Sequence, residues 1–506
     1  MGQRSKIIIH KLDNVFMHLE CERSIKQELM EFFSYFAENY QFSPKFRAKI
    51  WDGKIRLYQI SQSTLYIGLI DKLKEFASSF GYVLEDAPGS NIFRNSNTSL
   101  SDHSEEAAGL IEDIKAIPKK YEMRDYQLYA AVQAILLKRI LIESVTGSGK
   151  SLIIFAILRW YYEAYQKPAL IIVPTIGLVN QMKSDFLEYD PSIDPSLIVG
   201  IYSGQDRTKL RNRNNLVIIS TYQSLVTFDP EFFQHFQLVM VDEVHSAKTV
   251  SVRKIMEMCT NAEYRIGTTG TLPVDPLSIS TITGLFGKTI KTTTTKQLQE
   301  KKLLADLDIK CIRLKYPEIE CKVVADHYSE YQQEVKYLIE HTKRLSYIAS
   351  VSSSQKGNTL ILFTRVEYGK SLIKKIRELN ASKPDRKIFL VYGGTEAADR
   401  ENIRKIVEKE KDAIIVASSP TFSTGINIRN LHNIVFSQGG KSMIRIIQSI
   451  GRGLRIATNN QNTTLIDFVD DLSYKSRESY SIKHAAERLS IYIDQQFKFR
   501  VVDIDF

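Results

Sequence analysis

The feature that most restricts the fold is an alternation that occurs twice. From about residue 119 onward, apolar runs of strand length, "RILIES", "ALIIVP", "NLVIIST", "QLVMVDE" and "YRIGTTG", are each followed by a longer helical segment. A strand that is apolar on both faces has to be covered on both, and strands separated by helix-length segments come back parallel, so the pattern predicts a parallel sheet between layers of helices. A second series, "NTLILFT", "KIFLVYGG", "DAIIVASS" and "NIVFSQGG", follows after about Ala305. The predicted fold class is therefore α/β, with two doubly wound parallel-sheet domains in tandem. A chain of 506 residues has ample length for both and for a further small domain.

Ahead of the first series, residues 7–86 read as a small α+β module. It has strands at "KIIIHKL" and "NVFMHLE", a helix through "SIKQELMEFFSYFAENY", strands around "AKIWDGKIRLYQI" and a second helix, "LIDKLKEFASSFG". The polar run "APGSNIFRNSNTSLSDHSEEAAG" has the composition of a linker. The expected division is an N-terminal accessory domain at 1–95, a linker at 96–118, α/β domains at 119–304 and 305–475, and an extension at 476–506 packed on the second of them. That extension begins as an amphipathic helix and ends β-like.

Composition narrows the partners. Net charge is +10, which favours a polyanion. Cys21, Cys259, Cys311 and Cys321 show no CxxC spacing, so neither a zinc site nor a disulfide framework is signalled and a reducing compartment fits. No apolar run reaches membrane-span length, "MGQRSK" lacks a secretory apolar region, and Lys6 stands where a myristoylation signal has Ser or Thr. No membrane partner is expected.

Two strand ends in the first series carry chemistry. "ESVTGSGKS", Glu143 to Ser151, follows a strand and opens a helix. Backbone N–H groups around Thr146, Gly147, Ser148 and Gly149 can converge there on phosphate oxygens at the positive end of the helix. Lys150 would sit against the β and γ phosphates and Ser151 would offer its hydroxyl to Mg²⁺. Ser144 stands where the pattern GxxxxGK[ST] has Gly. The bland alternative is a glycine-rich turn capping a helix. "LVMVDEVH" puts Asp242 and Glu243 at the end of an apolar strand, where carboxylates are costly unless they face a polar cleft. Asp242 would hold Mg²⁺ through water and Glu243 would polarise the water attacking the γ phosphate. An acidic pair after a strand is usually a solvated loop, but after a phosphate loop it completes a nucleotide site.

Phosphate loop and D-E-x-H, with His245 as its last member, resemble helicase superfamily 2 of the DExH type. "MRDYQ" is similar to that superfamily's adenine-reading element, which implies that Gln127 contacts the base edge and that ATP is the nucleotide. "IIVPTIGLVNQ", "VIISTYQSL" and "GTTGTLP" resemble motif Ia, a later strand-binding motif and motif III. The resemblance implies that Pro174, Thr175, Gln181, Thr221 and Tyr222 lie along a nucleic-acid backbone, although Thr and Gln after strands are also common caps. Motif III here reads Thr269-Gly270-Thr271 where many relatives have Ser/Thr-Ala-Thr. In the second series "ILFTRVEYG" resembles motif IV and "IIVASSPTFSTGINIRN" motif V, which implies Gly425 and Asn427 near the nucleotide and Thr421 or Ser423 near the strand. "QSIGRGLR" resembles motif VI. This series has no phosphate loop of its own, so Arg452 and Arg455 would reach the first domain's nucleotide and stabilise charge on the γ phosphate, with Gln448 a link to the nucleotide.

The segment "YQFSPKFRAKIWDGKIRLYQI" interleaves Tyr40, Phe42, Phe46, Trp51 and Tyr58 with Lys45, Arg47, Lys49, Lys54 and Arg56, against one nearby acid, Asp52. Aromatics offer stacking platforms and cations neutralise phosphate. The bland alternative is a hairpin turning at "WDGK", with aromatics in the core and cations in solvent. F-x-P-x-F-R followed by W-D-G-K-I-R-L is similar to the N-terminal domain of the phage UvsW helicases, which implies that Arg47, Trp51, Lys54 and Arg56 meet nucleic acid. The same resemblance implies tandem RecA-like domains using ATP and Mg²⁺. It further implies remodelling of branched or forked DNA and of RNA–DNA hybrids, in phage recombination, repair and replication, in a host cytoplasm. A monomer or weak oligomer is expected. A DExH RNA helicase and an ATP-gated nucleic-acid binder without translocation remain as other readings.

Overall fold

The computed structural model describes residues 5–93, 104–117, 119–145, 147–202, 215–244, 249–270, 272–273, 275–301, 307–328, 330–423, 428, 430–440, 463–494 and 496–506. The chain divides into two compact units, Met1–Ser144 with Gly149–Thr292, and Val145–Ser148 with Thr293–Phe506.

The first unit opens with β1 (Lys6–Lys11), β2 (Phe16–Glu20), β3 (Ser34–Phe36), β4 (Lys54–Arg56), β5 (Thr64–Tyr66) and β6 (Val83–Asp86). Four of these form a sheet in the order β5-β2-β1-β6, with β1 antiparallel to β2 and parallel to β6. Ile7, Ile9, Met17 and Leu19 alternate onto one face, against Leu29 of the helix Arg23–Phe32 and Leu73 and Phe76 of the helix Ile70–Phe80.

The helix expected through Tyr40 is shorter, and two other segments carry elements that the sequence pattern hides. The first helix stops at Phe32, because Ser34–Phe36 leaves it to pair antiparallel with β4. Pro44–Arg47 is a helical turn with Pro at its first position, so β3 and β4 are joined by the long connection 37–53 and not by a tight turn at "WDGK". Within the stretch expected as a linker lies the helix Ser104–Ala116. Its Leu110 and Ile114, and Ile117 just beyond, recur at intervals of four and three and are buried, a stripe that the surrounding polar residues mask in composition.

The strands β7 (Arg139–Ser144), β8 (Ala169–Val173), β9 (Ile198–Ile201), β10 (Val217–Thr221), β11 (Leu238–Val241), β12 (Tyr264–Thr269) and β13 (Lys288–Thr293) form a sheet ordered β13-β7-β12-β11-β8-β10-β9. From β7 to β9 every neighbouring pair is parallel. Register places Thr221 beside Val173 and Thr269 beside Glu143, so these strands end along a common edge. Functional loops of parallel sheets emerge at that edge. The module's Leu73 and Phe76 belong to the same hydrophobic cluster as Leu141, Val239, Leu285 and Phe286 of the sheet domain. Module and sheet touch closely: Lys72 donates to the Ser280 hydroxyl at 2.7 Å, and a Cβ on Gly68 would stand 2.2 Å from the Thr283 carbonyl oxygen.

The second unit holds β14 (Leu307–Lys315), β15 (Thr359–Phe363), β16 (Ile388–Val391), β17 (Ile414–Ser418), β18 (Asn433–Phe436), β19 (Thr463–Asp471) and β20 (Lys498–Asp505). They form an all-parallel sheet ordered β16-β17-β15-β18-β19-β14-β20. The C-terminal helix Tyr480–Asp494 packs on β19, and β20 extends the sheet beside β14. The four cysteines are free, and burial pushes the Cys259 and Cys311 thiols up to about 12. Among the described residues no helix is long and apolar enough to cross a membrane.

Candidate nucleotide and nucleic-acid site

β7 runs out at Ser144 and the helix Lys150–Tyr165 starts six residues later. Between them Gly147 and Gly149 both take φ near 85°, the left-handed region where a side chain is strained. At Gly149 space is also required, since a Cβ would stand 2.3 Å from Gln127 Nε2. The Gln127 amide is thus brought against the phosphate loop. It is buried, and its Oε1 accepts from the Arg124 backbone N–H at 2.9 Å. Ser148 is buried and its N–H donates to the Val145 carbonyl at 3.1 Å.

Lys150 begins the helix with its Nζ donating to the Ser144 carbonyl at 3.1 Å and lying 3.6 Å from Glu243 Oε1; the two side chains are 10% and 6% exposed. Asp242 follows β11, and its Oδ1 accepts from the Glu243 N–H at 3.0 Å and from the Thr268 hydroxyl at 2.5 Å. Glu243 has φ +54°, uncommon for a residue with a side chain. Backbone held in this region at a strand end is characteristic of sites whose surroundings over-determine it. The Ser151 hydroxyl accepts from the Tyr189 hydroxyl at 3.2 Å, and the Ser144 hydroxyl accepts from Thr292 at 2.8 Å. The hydroxyl of Ser151 and the carboxylate of Asp242 are hard oxygen donors, the chemistry that Mg²⁺ selects.

Gln127, Gly149, Lys150, Asp242 and Glu243 are therefore gathered at one edge of one sheet. Thr146, His245, Gly425, Asn427, Gln448, Arg452 and Arg455 lie outside the described residues. Thr268 and Tyr189 were missed by sequence reasoning. Thr268 stands inside "GTTGTLP", a hydroxyl next to motif III that the sequence displays; nothing local marks Tyr189.

The residues expected along nucleic acid are dispersed. Pro174, Thr175, Thr221 and Tyr222 follow β8 and β10 at the sheet's C-terminal edge. Thr175 caps the helix Ile176–Tyr189 by accepting from the Leu178 N–H at 3.3 Å, and half-buried Gln181 lies on that helix. The Pro174 carbonyl accepts from Gln223 Nε2 at 3.4 Å. Thr221 is buried with its hydroxyl bonded to that of Ser224 at 3.0 Å, while Tyr222 is half-buried. In the second unit Thr421 is buried and shares a 2.6 Å bond with the Ser418 hydroxyl.

In the N-terminal module Arg47 is exposed, its guanidinium 5.9 Å above the Phe42 ring and its Nε donating to the Gln41 carbonyl at 3.3 Å. Lys54 pairs with Glu31 at 2.9 Å, an acid that the local sequence run does not contain. Arg56 grips Asp52 through both oxygens, and this bond holds the Asp52 carboxyl below its usual range. The indole N–H of half-buried Trp51 donates to the Lys54 carbonyl at 2.9 Å. Tyr58 is in the core, so it offers no stacking platform.

Residues 120–274 match the family described as "Type III restriction enzyme, res subunit", and residues 338–457 match "Helicase conserved C-terminal domain". Tandem sheets with this site and these matches define an ATP-dependent helicase of superfamily 2. Residues 6–85 match "DNA helicase UvsW, N-terminal", and the ATP-dependent DNA helicase uvsW of Enterobacteria phage T4 is 32% identical over 507 residues, 97% of this chain and 98% of that one. The chain belongs to the UvsW family of DNA helicases. The crystal structure of T4 UvsW aligns over 99% of both chains with a TM-score of 0.50 at 31% identity. A more distant similarity is to a DNA 3'-5' translocase, XPB2, of Sulfurisphaera tokodaii, 25% identical across 70% of this chain and 82% of that one.

Proposed function

We propose that this helicase uses ATP hydrolysis at the Lys150–Glu243 site to remodel branched DNA, by branch migration, fork regression and unwinding of R-loops, in phage recombination, repair and replication. The observation that carries the motor half of this reading is the buried Lys150–Glu243 pair at 3.6 Å. A cation so far from water needs a strong partner, and a separation beyond hydrogen-bond range makes Glu243 an incomplete one for Lys150. A triphosphate offers Lys150 more negative charge than Glu243 does. Once Lys150 turns to the phosphates, Glu243 can accept a hydrogen bond from the attacking water and orient it. Ser151 and Asp242 would hold Mg²⁺, which supplies neutralisation of the β and γ oxygens when bound. Gln127 reads the adenine edge. Arg452 and Arg455 stabilise charge on the γ phosphate as motif VI arginines do, with Gln448, His245, Gly425 and Asn427 lining the nucleotide.

The substrate half rests on similarity that runs through the N-terminal module as well as the motor. Exposed Arg47, Lys45 and Lys49 beside exposed Phe42 suit a DNA backbone and an unstacked base. The reading includes action as a monomer or weak oligomer, in the host cytoplasm. The test is steady-state ATP hydrolysis across linear, forked and four-way DNA and across RNA, with junction movement followed on a gel. Forked and four-way DNA are expected to stimulate most. Preferential stimulation by RNA would overturn the reading in favour of an RNA helicase, and hydrolysis without junction movement would leave a gated binder.

A further inference from the structure

The second unit contains a cavity of about 680 Å³ outside the nucleotide site described above. That volume is in the range of pockets that enclose small ligands. One wall is the start of the helix Tyr331–Glu340, with Tyr331 and Gln332; the opposite wall is the C-terminal helix, with Tyr480, Lys483 and His484. Its floor is the C-terminal edge of the sheet, where Thr364 and Arg365 follow β15 and Gln438 to Gly440 follow β18.

The walls are built. Tyr331 packs edge-on against Tyr480 and His484, with ring centroids 5.7 and 5.2 Å apart. Lys483 Nζ lies 5.4 Å from the Tyr480 ring centroid. Exposed Arg365 donates to Gln332 Oε1 at 2.6 Å, and its backbone N–H, with that of Thr364, is held by Gln438 Oε1 at 3.2 and 2.7 Å. Glu334, buried behind Tyr331, accepts from the N–H groups of Tyr480 and Ser481 at 3.1 and 2.9 Å and so locks the two walls together.

A second observation lies underneath. Arg488 is fully buried and binds Asp467 through Nε at 2.8 Å and Nη2 at 3.0 Å, yet its Nη1 has no hydrogen-bond partner among the described residues. A Cβ on Gly439 would stand 3.4 Å from that Nη1, so the donor sits directly behind the glycine that floors the cavity.

Among the described residues, two exposed cations, two tyrosines, an imidazole and two amides around a glycine floor, with Glu487 as the acid, form a set suited to a nucleotide unit. Aromatic faces stack a base, cations meet a phosphate, and glycines let a backbone approach. We propose that this cavity receives a nucleotide unit of the bound polynucleotide, with the base against Tyr331 and Tyr480 and the phosphate met by Lys483 and Arg365. The C-terminal helix is then a nucleic-acid-binding element as well as a packing one. The inference rests on the chain's membership of a DNA-helicase family and not on its preference for branched substrates.

The test is an equilibrium titration of a fluorescent oligothymidylate onto the full chain over a salt series, which leaves junction processing unread, so this inference and the branched-DNA reading fail separately. Lys483→Glu is expected to weaken binding about tenfold and to lower the slope of log affinity against log salt by about one, while Lys483→Arg keeps both. Tyr480→Ala is expected to weaken binding about tenfold with the slope unchanged, the signature of a lost stack. Unfolding midpoints are measured in parallel. Because Tyr480 also packs on Tyr331, the exposed Lys483 pair decides the matter if Tyr480→Ala loses stability. Wild-type affinity and slope in Lys483→Glu overturn the proposal, as does displacement of a free mononucleotide with no change for the oligonucleotide.

Discussion

Each seven-stranded sheet has a buried cation beside it, Lys150 at the first and Arg344 at the second, and the two are satisfied to different degrees. In the first, Lys150 is nearly closed off from solvent and, among the described residues, has one hydrogen bond, to the Ser144 carbonyl, and an ion pair at 3.6 Å. An ammonium group has three donors, so capacity is left over. In the second, Arg344 is fully buried and each of its three guanidinium nitrogens is engaged, with four of its five donors used. Its Nε and Nη2 hold the two Asp470 oxygens at 2.6 and 2.8 Å, Nη2 reaches the Ser437 carbonyl at 2.8 Å, and Nη1 meets the Tyr368 hydroxyl at 3.2 Å. Burial alone pulls the Arg344 guanidinium down, and Asp470 more than reverses it, so the group stays charged. Burial therefore does not mark a functional charge. What distinguishes Lys150 is leftover bonding capacity at the start of the helix that follows a strand.

The sharpest way to break this contrast is Lys150→Ala. On the proposed role it should lower ATP hydrolysis by about 10²–10³-fold, since a donor on developing phosphate charge would be lost, while the unfolding midpoint stays close to wild type. Phosphate release and a thermal melt read the two sides, and a large fall in the melt would place Lys150 with the structural charges. Arg344→Ala should do the reverse. Leaving Asp470 buried and uncompensated costs about 3–5 kcal/mol, visible as an earlier urea transition, whereas Arg344→Met combined with Asp470→Leu should recover most of it. The smallest effect is expected at the exposed edge of the same sheet. There Arg313 and Lys315 hold Asp503 at 2.6 and 2.7 Å and keep its carboxyl well below the usual range. A depressed carboxylate stabilises the fold above its unfolded pKa of 3.8 and loses that contribution as the pH falls below it. Asp503→Asn should thus lower the thermal midpoint slightly at neutral pH, with the difference shrinking in high salt and in acid.

Much of the fold was legible because parallel strands buried on both faces are written as continuous apolar runs. The five runs read in the first series are β7, β8, β10, β11 and β12. Strand β19 was harder to read: "TTLIDFVDD" carries Asp467 and Asp470 in its middle, and their partners, Arg488 and Arg344, lie 21 and 126 residues away. Strand β14 alternates polar and apolar residues, so it lacks the signature of its neighbours. The helix Ser104–Ala116, with Ile117 just beyond it, hides a three-residue stripe in a polar segment, and composition averages that stripe away.

By itself the sequence determined which residue types stand at which strand ends. A glycine-rich loop before Lys150 and an acidic pair after an apolar strand have few other physical uses, and their spacing is local. Tertiary structure alone decided what each group meets. Gln127 reaches Gly149 across 22 positions, Thr268 reaches Asp242 across 26, Tyr189 reaches Ser151 across 38, and Glu31 neutralises Lys54 from a different element. The same holds for the cavity between the helices at Tyr331 and Tyr480, which are 149 positions apart in the chain. Hydrogen bonds and ion pairs act over a few ångströms of space, and only folding converts distance along the chain into that range.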